Sequence, residues 1–120
     1  MQWEPDFQIA HLGINLRTAE EAGECADIVE ELFGLKRNPE KESEGSVYTE
    51  DKLEWMKKPG KGTHGHIALA THDLPTAMKY LEDKGFFFDE NTIKKFPDGR
   101  IQVISSASEI GGFAIQLLQI

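Results

Sequence analysis

Two segments of the chain alternate apolar side chains with small or polar ones, which is the two-residue period of a β-strand. Residues 9–16 read IAHLGINL, and residues 65–71 read GHIALAT. In each segment a histidine, His11 or His66, shares one face mostly with small or polar side chains, while larger apolar side chains share the other face. The alternation therefore predicts two strands, each with a packing face and a face that carries a histidine beside open space.

A helix is predicted after each of these strands. Thr18 and Glu21 form the capping-box pattern of a helix N-terminus, and Gly34 is suited to end that helix. The second helix starts after Asp73, has a proline in its first turn and closes at Gly85. Both segments repeat apolar residues at helical spacing, so each helix is expected to pack along one side. The two stripes are Ala22, Cys25, Ala26, Val29, Leu32 and Phe33, and Leu74, Ala77, Met78 and Leu81.

Short strands and turns follow each helix. In the first half of the chain, residues 46–49 and 52–57 predict a hairpin. The strongest break is Pro59-Gly60-Lys61-Gly62, near the middle of the chain. In the second half, strand-like segments are separated by turns at residues 97–99 and 111–112. The chain therefore reads as a strand, a helix and about three strands, followed by the same order again.

The repeat determines the predicted fold. The matching segments are 11–16 with 66–71, 31–36 with 82–87, and 52–57 with 114–119. We predict an α+β fold in which two βαβββ modules form a curved, cup-shaped mixed sheet with the helices on the outside. Residues 1–120 form a single domain, with the first module at about 7–58 and the second at about 63–120.

Four polar residues occupy matching places in the two modules. His11 and His66 lie in the first strands, and Glu54 and Gln116 lie between apolar neighbours in the last strands. All four are expected to point into the concave side of the sheet. Their donor atoms suit one divalent ion of Zn, Ni, Co, Mn or Fe, with positions left for water or substrate. The alternative is that the histidines are hydrogen-bonded residues of the core.

Charge and composition narrow the possible partners. The 120 residues include 13 Lys and Arg against 21 Asp and Glu, a formal net charge of −8. Because such a field repels nucleic acid and anionic lipid, neither is an expected partner. No apolar run is long enough to span a bilayer, and the N-terminus lacks the features of a signal peptide. Cys25 has no second cysteine to pair with, and a cytoplasmic location is the simplest expectation.

Several local motifs, in their order and spacing, resemble the vicinal oxygen chelate superfamily, which includes glyoxalase I, bleomycin-resistance proteins and extradiol dioxygenases. The motifs are IAHLGINL, GHIALAT followed by HDLPTAMKYLEDKGF, the PDGR turn, and GGFAIQLLQI. The resemblance covers residues 9–120 and implies two βαβββ modules around one divalent metal. It implies that the ligands are His11, Glu54, His66 and Gln116.

Members that resemble glyoxalase I bind a thiohemiacetal of an α-keto aldehyde, move the proton beside its carbonyl group and stabilise the resulting enediolate. Glu54 would then be both ligand and base. The last strand of this family commonly supplies a glutamate, whereas this chain has Gln116. An amide can bind a metal but cannot act as a base, so extradiol and fosfomycin-type chemistry are less favoured. Any proton transfer depends on Glu54.

The resemblance also implies a small-molecule substrate and a homodimer, with modules that pair within or across chains. Candidate substrate contacts are Asn15, Met56, Ala68 and Arg100. The leading function is a metal-dependent lyase or isomerase of glyoxalase type that acts on a small α-oxo compound. The first alternative is a non-catalytic binding protein on the same fold, as in antibiotic-sequestering relatives.

A second alternative is an aldolase, because some small sequences similar to this one are named 2-keto-3-deoxy-6-phosphogluconate or 4-hydroxy-2-oxoglutarate aldolase. The usual aldolase of that name is a barrel with a Schiff-base lysine. Such a barrel typically has about 250 residues, and this chain is too short for it.

Overall fold

The computed structural model describes residues 3–120, which form two helices and one sheet of seven strands. The elements are β1 (Gln8–Asn15), α1 (Ala19–Phe33), β2 (Ser46–Thr49), β3 (Leu53–Met56), β4 (Gly65–Thr71), α2 (Leu74–Glu82), β5 (Phe88–Lys95), β6 (Ile101–Ile110) and β7 (Phe113–Gln119). No helix within residues 3–120 is long and apolar enough to cross a membrane.

The sheet has the strand order β2-β3-β1-β4-β7-β6-β5. β1 and β4 pair antiparallel at its centre, so the two modules join within one chain. β1 pairs in parallel with β3, and β4 pairs in parallel with β7. The sheet is therefore mixed, and the predicted α+β fold, a curved sheet with the helices outside, is confirmed. An open mixed sheet of this kind is not the closed parallel barrel of the usual aldolase.

Strand pairing reproduces the predicted match between the modules. Two neighbouring rows of residues cross the sheet: Glu54, Gly13 and His66 form one row, and Gln116, Ala68 and His11 form the other. We call these the Glu54 row and the Gln116 row. Exchanging the two modules turns one row into the other. The residues that the sequence repeat matched are therefore equivalent in the strand register as well.

The first module departs from the βαβββ plan in the strand that should follow its helix. That strand is reduced to one bridge, between Arg37 and Thr49 at the edge of β2. Backbone hydrogen bonds of 2.8 Å flank the bridge on both sides. In the second module, the corresponding strand β5 has 8 residues. The first module thus contributes a narrower half of the sheet.

Both helices begin where the sequence predicts. Thr18 Oγ1 accepts a hydrogen bond of 3.1 Å from the backbone N–H of Glu21. Gly34 ends α1 in the left-handed conformation, with φ 72°, which a residue without a Cβ adopts readily. Asp73 caps α2 by accepting a hydrogen bond from the backbone N–H of Thr76. The capping chemistry therefore fixes where each helix starts along the sheet.

Each helix covers the outer face of its own module. Under α1, the fully buried Ala22 and Ala26 pack with Val47 and Trp55, whereas Leu32 and Phe33, which the sequence predicts on the same packing stripe, are exposed. Because alanine side chains are small, α1 can lie close to the hairpin of β2 and β3. Under α2, the core is built from Leu74, Ile104, Ile115 and Leu117. With apolar contacts on the outer face, the inner face is left for polar residues.

Candidate metal centre

The inner face of the sheet brings Glu54 and His66 together across an intervening strand. β3, β1 and β4 lie side by side, so these two residues are separated at the backbone by two strand spacings, about 10 Å. Their side chains meet because the residue between them is Gly13. A Cβ on Gly13 would lie only 2.0 Å from Cε1 of His66. The imidazole of His66 therefore lies over the backbone of β1 and reaches towards Glu54.

Three possible ligand atoms converge at this point. Oε1 of Glu54 lies 3.3 Å from Nε2 of His11 and 3.1 Å from Nε2 of His66. The two Nε2 atoms are 3.2 Å apart. The side chains of His11, His66 and Glu54 are 13%, 8% and 16% exposed, so the group is shielded but reachable from solvent. The structure thus brings together three of the four residues that the sequence indicated as ligands. We call His11, Glu54 and His66 the cluster.

Hydrogen bonds keep Glu54 ionised. Burial alone would raise the pKa of Glu54, because the carboxylate loses hydration. Hydrogen bonds from His11, His66 and Ser46 outweigh burial and hold the pKa of Glu54 well below its usual range. Ser46 Oγ donates to Oε2 at 2.7 Å, on the side of the carboxylate away from the imidazoles. Both oxygens therefore have fixed partners, and the carboxylate is oriented.

The spacing of these atoms suits a divalent first-row metal. With ligand bonds of about 2.1 Å, neighbouring ligand atoms are about 3.0 Å apart around an octahedral ion and about 3.4 Å apart around a tetrahedral one. The observed separations of 3.1 to 3.3 Å lie within this interval. Within residues 3–120, this is the one group of three or more His, Cys, Asp or Glu residues with ligand atoms close enough to hold an ion. The donors fit several metals equally well.

Two further residues, Ser46 and Tyr48, belong to this site, although no sequence motif indicated them. Tyr48 lies directly opposite Glu54 in the hairpin, and its ring meets that of His11 edge-on, with centroids 5.8 Å apart. Burial, together with the negative charge of Glu54, raises the pKa of the Tyr48 phenol, so it stays neutral. The predicted hairpin was the available signal, because its register places Tyr48 beside Glu54.

Gln116 occupies the place that the repeat predicts, but its side chain forms no hydrogen bond with His11, His66 or Glu54. It lies opposite the fully buried Ala68, and Ala68 lies opposite His11. Ser105 is its neighbour on the other side. Within residues 3–120, the half-buried amide of Gln116 forms no hydrogen bond, and neither histidine of the cluster is paired with it. Its predicted role as a ligand stays a prediction.

Asn15 and Met56 lie at the end of the inner face where the linker between β3 and β4 crosses. The Asn15 side chain accepts a hydrogen bond from the backbone N–H of Gly60 and donates one to the carbonyl of Gly62, both at 3.0 Å. Cε of Met56 approaches the same linker at Gly60. Asn15 thus holds the linker in place, and substrate contact by Asn15, Met56 or Ala68 stays a prediction.

The structure does not bring Arg100 to the cluster. Its backbone N–H and Nε donate to Asp98 at 3.0 and 2.8 Å, and its guanidinium lies 4.8 Å from the ring centre of Phe96. Ser105, the neighbour of Gln116, lies about 16 Å farther along β6. Arg100 therefore serves the turn between β5 and β6, and its predicted substrate contact has no support in this geometry.

Comparison with solved structures shows the class of fold. No protein-family model and no curated protein matches the sequence. Methylmalonyl-CoA epimerase from Streptomyces coelicolor, in complex with 2-nitronate-propionyl-CoA, is 15% identical, with a TM-score of 0.60 over 93% of each chain. The Mycobacterium tuberculosis methylmalonyl-CoA epimerase is 14% identical, with a TM-score of 0.60 over 92% of this chain and 86% of that one. A selenomethionine form of methylmalonyl-CoA epimerase is 20% identical, with a TM-score of 0.60 over 97% of each chain.

At these identities the likeness establishes the fold. The chain has the vicinal oxygen chelate type of fold, as the sequence motifs implied.

Proposed function

We propose that this protein is a metal-dependent lyase or isomerase of glyoxalase type, which moves a proton beside a carbonyl group of a small substrate. The observation that supports the proposal is the convergence of His11, Glu54 and His66 on the inner face of the sheet. Structurally similar proteins are named as epimerases, which are isomerases. A divalent ion, when bound, polarises the carbonyl oxygen and so eases removal of the neighbouring proton.

Each residue of the cluster has its own role in this proposal. His11 and His66 would hold the ion, because their Nε2 atoms face the same point as Oε1 of Glu54. Glu54 is the one carboxylate of the group, and it both helps to hold the ion and takes the proton. In the metal-free protein Glu54 is ionised, because hydrogen bonds hold its pKa well below the usual range. Ser46 fixes the orientation of the carboxylate, and the neutral phenol of Tyr48 stands beside it.

Two classes of substrate fit this chemistry. The first is a small α-oxo compound such as the thiohemiacetal of an α-keto aldehyde. The second is an acyl thioester of coenzyme A, because the structural neighbours are named for methylmalonyl-CoA. The formal net charge of −8 opposes the approach of a polyanionic coenzyme, so we favour the small α-oxo compound.

Hydrogen–deuterium exchange beside the carbonyl group tests the proposal. The protein, loaded in turn with Zn²⁺, Ni²⁺, Co²⁺, Mn²⁺ or Fe²⁺, is incubated in deuterated water with the thiohemiacetal or with methylmalonyl-CoA. We expect deuterium to enter one of the two substrates when the protein carries the metal that it uses. Glu54→Gln keeps an oxygen donor but lacks the base, so it should abolish exchange. Tight binding of either compound with no exchange in the wild type would favour the non-catalytic binding protein instead.

The proposal also includes a homodimer and a cytoplasmic location. Support for the homodimer comes from the C-terminal part of α1, where Ile28, Leu32 and Phe33 are 54%, 67% and 69% exposed. A cluster of exposed apolar side chains is typical of an interaction surface. Wild-type protein should sediment as a dimer and Leu32→Glu as a monomer. Monomeric wild type at high concentration would contradict the homodimer. The cytoplasmic location rests on the sequence argument alone.

A further inference from the structure

The two rows of the inner face are equivalent by the repeat, yet the ligand atoms gather at one of them, because His11 of the Gln116 row joins Glu54 and His66 of the Glu54 row. Exchanging the modules turns the contact between His11 and Glu54 into one between His66 and Gln116. It likewise turns the contact between His66 and Glu54 into one between His11 and Gln116. Both contacts to Glu54 are formed, at 3.3 and 3.1 Å, and neither matching contact to Gln116 is formed as a hydrogen bond within residues 3–120.

One methyl group separates the middle residues of the two rows. In the Glu54 row the middle residue is Gly13, and the ring of His66 occupies the space where a Cβ would be. In the Gln116 row the middle residue is Ala68, which is fully buried and carries a Cβ. The ring of His11 therefore cannot lie over Ala68 as the ring of His66 lies over Gly13. It lies on the side of Glu54 instead.

The need for glycine at position 13 is steric. A Cβ there would lie 2.0 to 2.6 Å from three atoms of the His66 ring, well inside the van der Waals contact distance. Gly13 is not among the residues with positive φ, so its backbone would accept alanine. Alanine would therefore force the ring of His66 away from Glu54 without straining the strand. A substitution at Gly13 thus acts on the site through one side chain.

We propose that Gly13 is a positioning residue that gathers the metal ligands on the Glu54 side, and that Gln116 is not a metal ligand. This inference rests on the proposed function insofar as it assumes a bound metal. The ion is held by His11, Glu54 and His66. The amide of Gln116, which is half-buried on the same face, is left to donate to or accept from a polar group of the substrate.

Metal affinity tests the inference without any assay of turnover. Metal-free wild type, Gly13→Ala and Gln116→Ala are titrated with Co²⁺, and binding is followed by the absorption spectrum of the bound ion. We expect Gly13→Ala to lose affinity by about 100-fold, the upper end for residues that orient ligands. Gln116→Ala should keep both the affinity and the spectrum of the wild type. Gly23→Ala is the matched control, because the nearest atom to its new Cβ is 3.8 Å away.

A double variant separates positioning from a general loss of structure. In the His66→Ala background the ring that Gly13 accommodates is gone, so adding Gly13→Ala should leave urea unfolding of the metal-free protein unchanged. A lower urea midpoint on adding Gly13→Ala to His66→Ala would overturn the inference, because strain in the strand would then explain the loss of metal affinity. So would a lower affinity or an altered spectrum in Gln116→Ala. If wild type itself binds no Co²⁺, the proposed function and the inference both fail.

Discussion

Glu54 has a different kind of partner for each of its carboxylate oxygens. Oε1 faces Nε2 of both histidines, and Oε2 accepts a hydrogen bond of 2.7 Å from the hydroxyl of Ser46. Ser46 is 3% exposed, so water cannot easily replace its hydrogen bond. The hydroxyl therefore orients the carboxylate before any metal binds. A ligand that is already oriented loses less entropy when it binds the ion.

The role of Ser46 gives a prediction at the residue scale. Ser46→Ala should weaken metal binding by about 10-fold, because the carboxylate of Glu54 loses the donor that orients it. Titration of the metal-free protein with Zn²⁺ measures the change. The control is Ser105→Ala, which removes another buried hydroxyl, next to Gln116. Equal affinities in wild type and Ser46→Ala would show that Glu54 needs no support from Ser46.

The sequence could indicate the cluster but not its asymmetry. His11, His66 and Glu54 stood out because the repeat placed them in matching strands. The repeat indicated Gln116 equally, because strand alternation gives the face of a residue but not the direction in which its side chain leans. That direction depends on Gly13 and Ala68, which differ by one methyl group. Ser46 and Tyr48 lie outside the segments that the sequence repeat matched, and Arg100 is engaged by its own turn.

At the scale of elements, the hairpin of β2 and β3 connects the site to helix α1. Glu54 and Trp55 are consecutive on β3, so one faces the inner side and the other the outer side. Trp55 packs against the core under α1, and its Nε1 donates to Thr49 Oγ1 at 2.8 Å. Thr49 is 1% exposed. This bond links the two strands on the side that α1 covers and so holds Glu54 in register.

A prediction follows for Thr49. Thr49→Val leaves the indole N–H of Trp55 without an acceptor in a buried place, so the free energy of unfolding should fall by about 1–3 kcal/mol. Thr49→Ser keeps an acceptor and should retain most of the stability. Urea unfolding of both variants, monitored by tryptophan fluorescence, gives the difference. Equal stability of the valine and serine variants would argue against a structural role for this hydrogen bond.

The elements themselves were predictable to different degrees. Helix starts were accurate because Thr18 and Asp73 carry specific capping chemistry. The repeat correctly gave the relation between the modules, since strand register follows it through all six residues of the two rows. The repeat predicted a longer strand after α1 than the structure contains. The bridge at Arg37 sits at the edge of β2, and sequence alternation alone does not reveal how far an edge strand is paired.

At the scale of the whole molecule, the N-terminal segment is fastened to the junction of β4 and α2. Asp6 accepts hydrogen bonds from the Thr71 hydroxyl and from the backbone N–H of His72. These bonds, with a further one to the His72 ring, lower the pKa of Asp6 to about 2. The folded protein therefore favours the ionised carboxylate more than the unfolded chain does.

This difference predicts how stability depends on pH. An unfolded aspartate has a pKa of about 3.9. Because the pKa of Asp6 is lower in the folded state, its contribution is fully present above about pH 4 and is lost as the pH falls towards about 2. Asp6→Asn should therefore have a lower urea midpoint than wild type at pH 7, and this gap should narrow between pH 4 and 2. The same gap at both ends of that interval would contradict the assignment. Asp51→Asn, in the exposed turn after β2, is the charge-matched control.

The central claim is that the two histidines and Glu54 hold a metal. The most direct measurement is elemental analysis of protein purified without chelator or metal-affinity resin, beside the double variant His11→Ala/His66→Ala. We predict about one divalent ion per chain in the wild type and none in the variant. If neither protein carries metal, even after incubation with Ni²⁺, Zn²⁺ and Mn²⁺, the histidines are structural. The metal-dependent function would then be wrong, and a binding protein on the same fold would take its place.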